Sequence, residues 1–348
     1  MNILKKLILL ILAIFLLNII EINTYASPNT TTNNPVKIAV FLLDTDELFL
    51  SHFSESLKNI QKENGNKVQF TVFDSERNQG TENDNIAKAL DQDFDLFVIE
   101  PVTFKLEELK NTFDMIHQKN IPFILLTSPS REVSNFAKEY PRTIIIGGDD
   151  EQSGILQGKL LINEWNTNKT YLDHNKDNIV QYVILKGPVS DPATDARSKY
   201  PIQTLNEAGI KTQAISSNSC NWDKKCARDT IESIILTQNG KTEAIIANSD
   251  DMAVGAVEAL QKYGYNKGNK FKYIPVVGVG GLPEATELIK QGSMTGTVIQ
   301  DPSDYANAVY SIGMNIVSGQ NPLNGTNHKF DETGNTVRIP YKEYSKQS

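Results

Sequence analysis

The sequence predicts an α/β protein built as two similar doubly wound parallel-sheet lobes. Three observations carry this. Short runs that are apolar on both faces recur along the chain, as in strands covered on two sides by helices. Amphipathic stretches of helical period separate them. The alternation begins afresh after Asp149, and 348 residues are too many for one such sheet.

Taken in order, Met1-Asn2-Ile3-Leu4-Lys5-Lys6 leads into an apolar run from Leu7 to Leu17, and Thr24-Tyr25-Ala26 stands before Ser27. A positive start, a short apolar core and a small residue at the cut form a secretory signal, expected over 1–26. The run is shorter than the ~20 apolar residues of a spanning helix; an uncleaved anchor is its other reading. Residues 27–35, rich in Asn and Thr, read as a flexible tether. Strands are predicted over 36–43, 68–73, 96–99, 123–126 and 143–146. Between them, 106–119 shows Leu106, Leu109, Phe113 and Ile116 at helical spacing. Gly147-Gly148-Asp149-Asp150 marks the join, two permissive glycines before a candidate helix cap. A second set of strands follows over 180–185, 212–215, 244–247 and 274–279.

Composition narrows the function. Acids outnumber bases 42 to 34, a formal charge of −8, which argues against nucleic acid or an anionic membrane as partner. Two cysteines and four histidines leave little for a zinc cluster or a thiol enzyme. No nucleophile triad, glycosidase carboxylate pair or phosphate-cradling glycine loop can be assigned, so the chain is not expected to be an enzyme. Gly278-Val279-Gly280-Gly281 lacks the spacing of a dinucleotide fingerprint.

The strongest local pattern is Asp173-His174-Asn175-Lys176-Asp177-Asn178-Ile179-Val180-Gln181. Oxygen side chains alternate as in a calcium-binding loop, where a curled backbone aims every second residue at one hard cation. Ile179 stands where such a loop offers a main-chain carbonyl, and Asn178 where it needs a left-handed residue. A solvated Asn/Asp turn is the competing reading. Phe49 follows the first strand and Trp222 is expected to open a helix whose buried face carries Ala227, Ile231, Ile234 and Ile235; packing competes with ligand contact for both aromatics. Leu185-Lys186-Gly187-Pro188 and then Asp191 to Arg197 put a Gly/Pro loop and an acid after a strand, where open α/β sheets hold their ligands. Arg197 can clamp ligand oxygens with its planar fork or form a surface ion pair with Asp191 or Asp195. Cys220 and Cys226, flanking Trp222, form either a disulfide or two free thiols.

Taken together, these segments resemble the periplasmic galactose/glucose-binding proteins that feed sugar ABC transporters. The resemblance runs from Val36 to about Tyr341 and is most specific at Asp173–Gln181, Leu185-Lys186-Gly187 with Ala196-Arg197, and Gly255-Ala256-Val257-Glu258-Ala259-Leu260. Gly278-Val279 with Leu282-Pro283-Glu284-Ala285, Gly296-Thr297-Val298 and Gly325-Thr326-Asn327 extend it. It implies a three-crossing hinge near Gly148-Asp149, Asp301-Pro302 and Val337-Arg338, dividing the chain into 36–148 plus 302–337 and 149–301 plus 338–348. Ligand is then trapped in the interlobe cleft by hinge closure.

The resemblance also implies a structural calcium ion on Asp173, Asn175, Asp177, the Ile179 carbonyl, Gln181 and, from a later strand, Glu243. In the cleft it implies a sugar stacked between Phe49 and Trp222 and clamped by Arg197. The remaining contact positions depart from the family: Glu47 for an Asp, Thr127 for an Asn, Asp191 for a His, Ala193 for an Asp, Ser249 for an Asn, Gly280 for an Asp and Gln300 for an Asn. Ala193 and Gly280 remove two carboxylate acceptors, while Glu47 and Asp191 leave a cleft suited to an amine-bearing or otherwise modified sugar. The implied protein is exported, monomeric, and stationed in the periplasm or on the outer face of the cytoplasmic membrane. It hands a monosaccharide to an ABC-transporter permease. A sensory ectodomain reporting to a histidine kinase or chemoreceptor is the second expectation.

Overall fold

The computed structural model describes residues 34–346, apart from Ser190 and Asn239. The expected signal segment, and all but the last two residues of the expected tether, lie outside the described residues.

The first strand shows why the chain folds in layers. Along β1 (Val36–Leu42), Ile38, Val40 and Leu42 feed one core while Ala39 and Phe41 feed another, the period-two alternation of a strand buried on both faces. The first core is closed by α1 (Leu48–Glu63) through Leu50, Phe53 and Leu57. The second is closed by α2 (Gln79–Leu90), α3 (Leu106–Gln118) and α4 (Arg131–Ala137); Leu109, Phe113 and Ile116 of α3 are buried there as their spacing predicts. Interleaved with these helices are β2 (Val68–Asp74), β3 (Leu96–Ile99), β4 (Phe123–Leu126) and β5 (Thr143–Gly148).

The plan repeats. It runs through α5 (Asp150–Leu172), β6 (Ile179–Lys186), α6 (Pro192–Glu207), β7 (Lys211–Ser219), α7 (Lys224–Gln238), β8 (Ala244–Ala247), α8 (Asp250–Lys262), β9 (Val276–Gly280), α9 (Pro283–Gln291) and β10 (Gly296–Ile299). Two elements follow on the N-terminal side, α10 (Pro302–Val317) and β11 (Thr336–Ile339), and one on the other, β12 (Lys342–Ser345). The two six-stranded sheets have matching orders, β11-β5-β4-β3-β1-β2 and β12-β10-β9-β8-β6-β7. The strand pairs are parallel except β10 with β12.

The chain passes between lobes at Gly148-Asp149, at Asp301-Pro302 and between β11 and β12. The last passage lies beyond the expected one: Arg338 and Ile339 pair with Gly147 and Gly148 in the first sheet, so the crossing falls at Pro340-Tyr341. The first crossing explains its glycine. A β-carbon at Gly148 would collide with the hydroxyls of Tyr341 and Tyr305, which meet there. Trp222 does not open α7; it stands two residues before it, at φ 67°, in a left-handed turn with Asn221. Cys220 and Cys226 are joined as a disulfide that brackets this turn.

Candidate functional site

The loops at the carboxyl ends of the strands of both sheets face one another across a cleft of about 620 Å³. This is where open parallel sheets place ligands, and the volume lies within the ordinary range for small-molecule sites. The cleft gathers Glu47, Phe49, Thr127, Asp191, Arg197, Trp222, Ser249 and Gln300, the full set of cleft residues expected from the sequence.

Local folding fixes several of them. Glu47 is the N-cap of α1, its Oε2 accepting from the Leu50 N–H at 3.0 Å. Asp191 caps α6, accepting from the N–H of Ala193 at 2.8 Å and of Thr194 at 3.4 Å. Ser249 caps α8 through the Met252 N–H. Each is a residue type that favours that helix position, or in the case of Glu47 a longer carboxylate doing the same work, so one side chain serves the fold and lines the cleft together. Phe49 packs edge-on against Tyr305, ring centroids 5.2 Å apart. Trp222 lies over Gly187, where a β-carbon would strike the indole ring.

Arg197 is neither a surface residue nor paired with Asp191 or Asp195. Its guanidinium is buried and donates to Asp150 at 3.0 Å, to the Tyr341 hydroxyl at 2.9 Å and to the Asn248 carbonyl at 3.1 Å. Gln300 accepts from Arg197 at 3.5 Å and donates to the Tyr305 hydroxyl at 3.2 Å, so it bridges the arginine to the opposite lobe. Asp150 also accepts from the Tyr341 hydroxyl through Oδ1, while its Oδ2 is buried without a partner, as is Arg197 Nε.

Among the cleft residues that sequence reading missed, four matter most to its charge and hydrogen bonding. Asp150 stood beside the predicted cap, which turns out to be Asp149, bonded to the Gln152 N–H. Tyr341 lies in the last crossing itself, directly before β12. Asp250 is held by the N–H groups of Gly281 and Leu282 and by the Thr297 hydroxyl; burial pushes it up to about 6. Glu100 follows β3 directly and accepts from the Leu43 N–H at 3.2 Å. Burial, then Glu47 and Asp191, raise it to about 8. Its position at the carboxyl end of a buried strand was the available signal.

The predicted cation loop lies on the second lobe. Asp173 accepts from the N–H groups of Asp177 and Asn178, and Lys176 and Asn178 take left-handed φ of 60° and 61° that curl the loop. Asn175 and Gln181 donate to Asp177, while Glu243 accepts from the N–H of His174 at 2.7 Å and of Gln181 at 3.3 Å. Burial, reinforced by Asp173 and Asp177, raises Glu243 to about 7. Gln181 Oε1 is buried and unpartnered. Among the described residues no cluster of three or more Asp, Glu, His or Cys side chains is already gathered around one point. A further cavity, of about 350 Å³ beside the kink of α5 at Asn168, contains none of the expected residues.

Residues 38–321 match the family model described as a periplasmic binding protein domain. The chain belongs to this family of binding proteins, in keeping with the expectation that it is not an enzyme. It is similar to the D-galactose/methyl-galactoside binding periplasmic protein MglB of Haemophilus influenzae, 29% identical over 319 residues, 91% of each chain. Among solved structures it is similar to an ABC transporter solute binding protein from Bacillus halodurans C-125 with bound myo-inositol, with a TM-score of 0.73, 20% identity, and coverage of 91% of this chain and 97% of the other. A periplasmic solute binding protein of Actinobacillus succinogenes with bound D-allose gives a TM-score of 0.73 at 20% identity, covering 90% and 98%.

Proposed function

We propose that this protein is an exported solute-binding protein that captures a monosaccharide or modified sugar in the interlobe cleft and delivers it to an ABC-transporter permease. The observation that carries the reading is one cleft holding Phe49 and Trp222 together with the buried pair Arg197–Asp150. Aromatic faces suit the apolar C–H face of a pyranose, and the orphaned Asp150 Oδ2 and Arg197 Nε suit a hydroxyl that both donates and accepts. The galactoside-binding relative puts hexoses first among the ligands to try. Thermal unfolding against a monosaccharide panel tests this. A sugar at about 100 times its Kd adds about 2.7 kcal/mol of stability; the absence of any shift across hexoses, pentoses and amino sugars at millimolar concentration would exclude the reading.

A structural calcium ion is the second part of the proposal. The orphaned Gln181 Oε1 and the three mutually repelling acids Asp173, Asp177 and Glu243 fit a hard cation, with Asn175 and the Ile179 carbonyl as further oxygen donors. Chelation by EGTA is expected to lower the melting temperature and calcium to restore it, while magnesium does not. An unchanged melt would remove the ion from the account.

A further inference from the structure

The cleft's charges are paired unevenly. Glu47, Glu100, Asp150, Asp191, Asp250 and Asp251 line it, against Arg77, Lys105 and Arg197. Each of the bases already has an acid: Arg77 holds Asp44 at 2.6 Å, Lys105 holds Glu108 at 3.5 Å and Arg197 holds Asp150 at 3.0 Å. Of the lining acids only Asp150 belongs to an ion pair among the described residues. The cleft therefore offers acceptors in excess and no cation that is not already paired.

Glu47, Glu100 and Asp191 form the sharpest part of this imbalance. They come from both lobes, and Glu47 and Asp191 both raise the cost of ionising Glu100, with the Arg77 charge offsetting part of it. Each is tied on one side only, by main-chain N–H groups at Leu50, at Leu43, and at Ala193 and Thr194. A ligand facing them must bring donors, and a ligand that also brings positive charge relieves their repulsion. A separate observation fixes the other end of the ligand. Asp150 and Arg197 are 5% and 6% exposed, and Asp150 Oδ2 and Arg197 Nε lack partners at the cleft floor, a pairing that calls for a hydroxyl.

We infer that the cleft selects an amino sugar: a hydroxyl seated on Asp150 and Arg197, a ring face against the aromatics, and a protonated amine among Glu47, Glu100 and Asp191. This rests on the sugar-binding reading and narrows it. Isothermal titration of the protein at pH 7 with glucosamine, galactosamine and mannosamine, their parent hexoses, and their N-acetyl forms tests it. At least one amino sugar is expected to bind tenfold or more tighter than its parent hexose. N-acetylation, which removes the charge, is expected to abolish that advantage, and added salt to narrow it. Glu100→Gln and Glu47→Gln are expected to narrow it as well, with their folding verified by melting. A hexose that binds as tightly as its amino form overturns the amine assignment and leaves the sugar reading intact. No binding by any of the panel overturns both. The ratio measured on the unaltered protein decides between these outcomes without the variants.

Discussion

The two walls of the cleft solve the problem of burying charge in opposite ways. On the second lobe, Asp150 has Arg197 and a tyrosine hydroxyl, and Asp250 has two N–H groups and a threonine. On the first lobe, Glu47 and Glu100 are held by main-chain N–H groups, at Leu50 and at Leu43, with no cation among the described residues within ion-pair distance, and burial raises both. Asp150 and Asp250 are thus mostly satisfied within the protein, although Asp150 Oδ2 and Arg197 Nε keep no partner and Asp191 on the same lobe has no cation in an ion pair among the described residues. The first wall is finished by whatever enters the cleft. Polar groups that are satisfied internally stabilise the fold and respond little to ligand, whereas half-satisfied ones give stability away and regain it on binding.

The largest test of this asymmetry is Arg197→Met. It leaves Asp150 as a buried charge with no counter-ion, and breaking such a pair costs about 3–5 kcal/mol. Glu47→Gln on the opposite wall removes a charge that has no ionic partner and is expected to cost under about 1 kcal/mol. Urea unfolding of the two variants measures the difference. Equal losses would show that the walls are alike and that the pairing on the second lobe is decorative.

A smaller effect is expected at the aromatics. Trp222→Ala removes a ring held over Gly187 by a left-handed turn bracketed by the Cys220–Cys226 disulfide. Truncating an aromatic anchor at a binding centre costs about 2 kcal/mol, or ~thirtyfold in Kd. Phe49→Ala should cost less, because Tyr305 remains beside it to cover part of the ligand face. Titrations of the best-bound sugar against both variants give the ranking, and a reversed order would place the main stacking surface on the first lobe.

How far the sequence disclosed these walls depends on where each residue's role resides. The strand–helix alternation was legible because burial on two faces leaves uninterrupted apolar runs, as at Phe123-Ile124-Leu125-Leu126. Phe49, Trp222 and Arg197 were legible because their neighbours form a recognisable pattern. The partner of Arg197 was not: Asp150 lies 47 positions away in sequence, and local spacing favoured Asp191 and Asp195 instead. Tyr341 was hidden for a related reason, since the chain crosses back at Pro340-Tyr341, three residues later than expected, and puts Tyr341 in the crossing. The turn at Asn221-Trp222 escaped notice because two non-glycine residues at positive φ carry no sequence flag, and the disulfide was one of two open readings. Glu100 was overlooked for being a lone acid after a strand, where topology and not composition gives it meaning.

Glu100 also supplies the most discriminating test. Its folded-state pKa of about 8 stands well above the ordinary 4.5, with burial the main cause and Glu47 and Asp191 adding to it. Between those two values the folded chain holds a proton that the unfolded chain has lost, so the group makes stability fall as pH rises through that window, and the loss is complete above the upper value. Glu100→Gln cannot lose that proton. The melting temperature of the variant minus that of the unaltered protein is therefore expected to climb from pH 5 to pH 8 and then level off. Asp250, raised to about 6, is present in both proteins and cancels from the difference. Saturation with a bound amine should flatten the climb, because a neighbouring cation favours the ionised carboxylate and draws the folded-state pKa back down. Saturation with a neutral sugar leaves the charge imbalance in place and should leave the climb. A difference that stays constant with pH in the free protein would mean that Glu100 is already compensated, and that the first wall is as complete as the second.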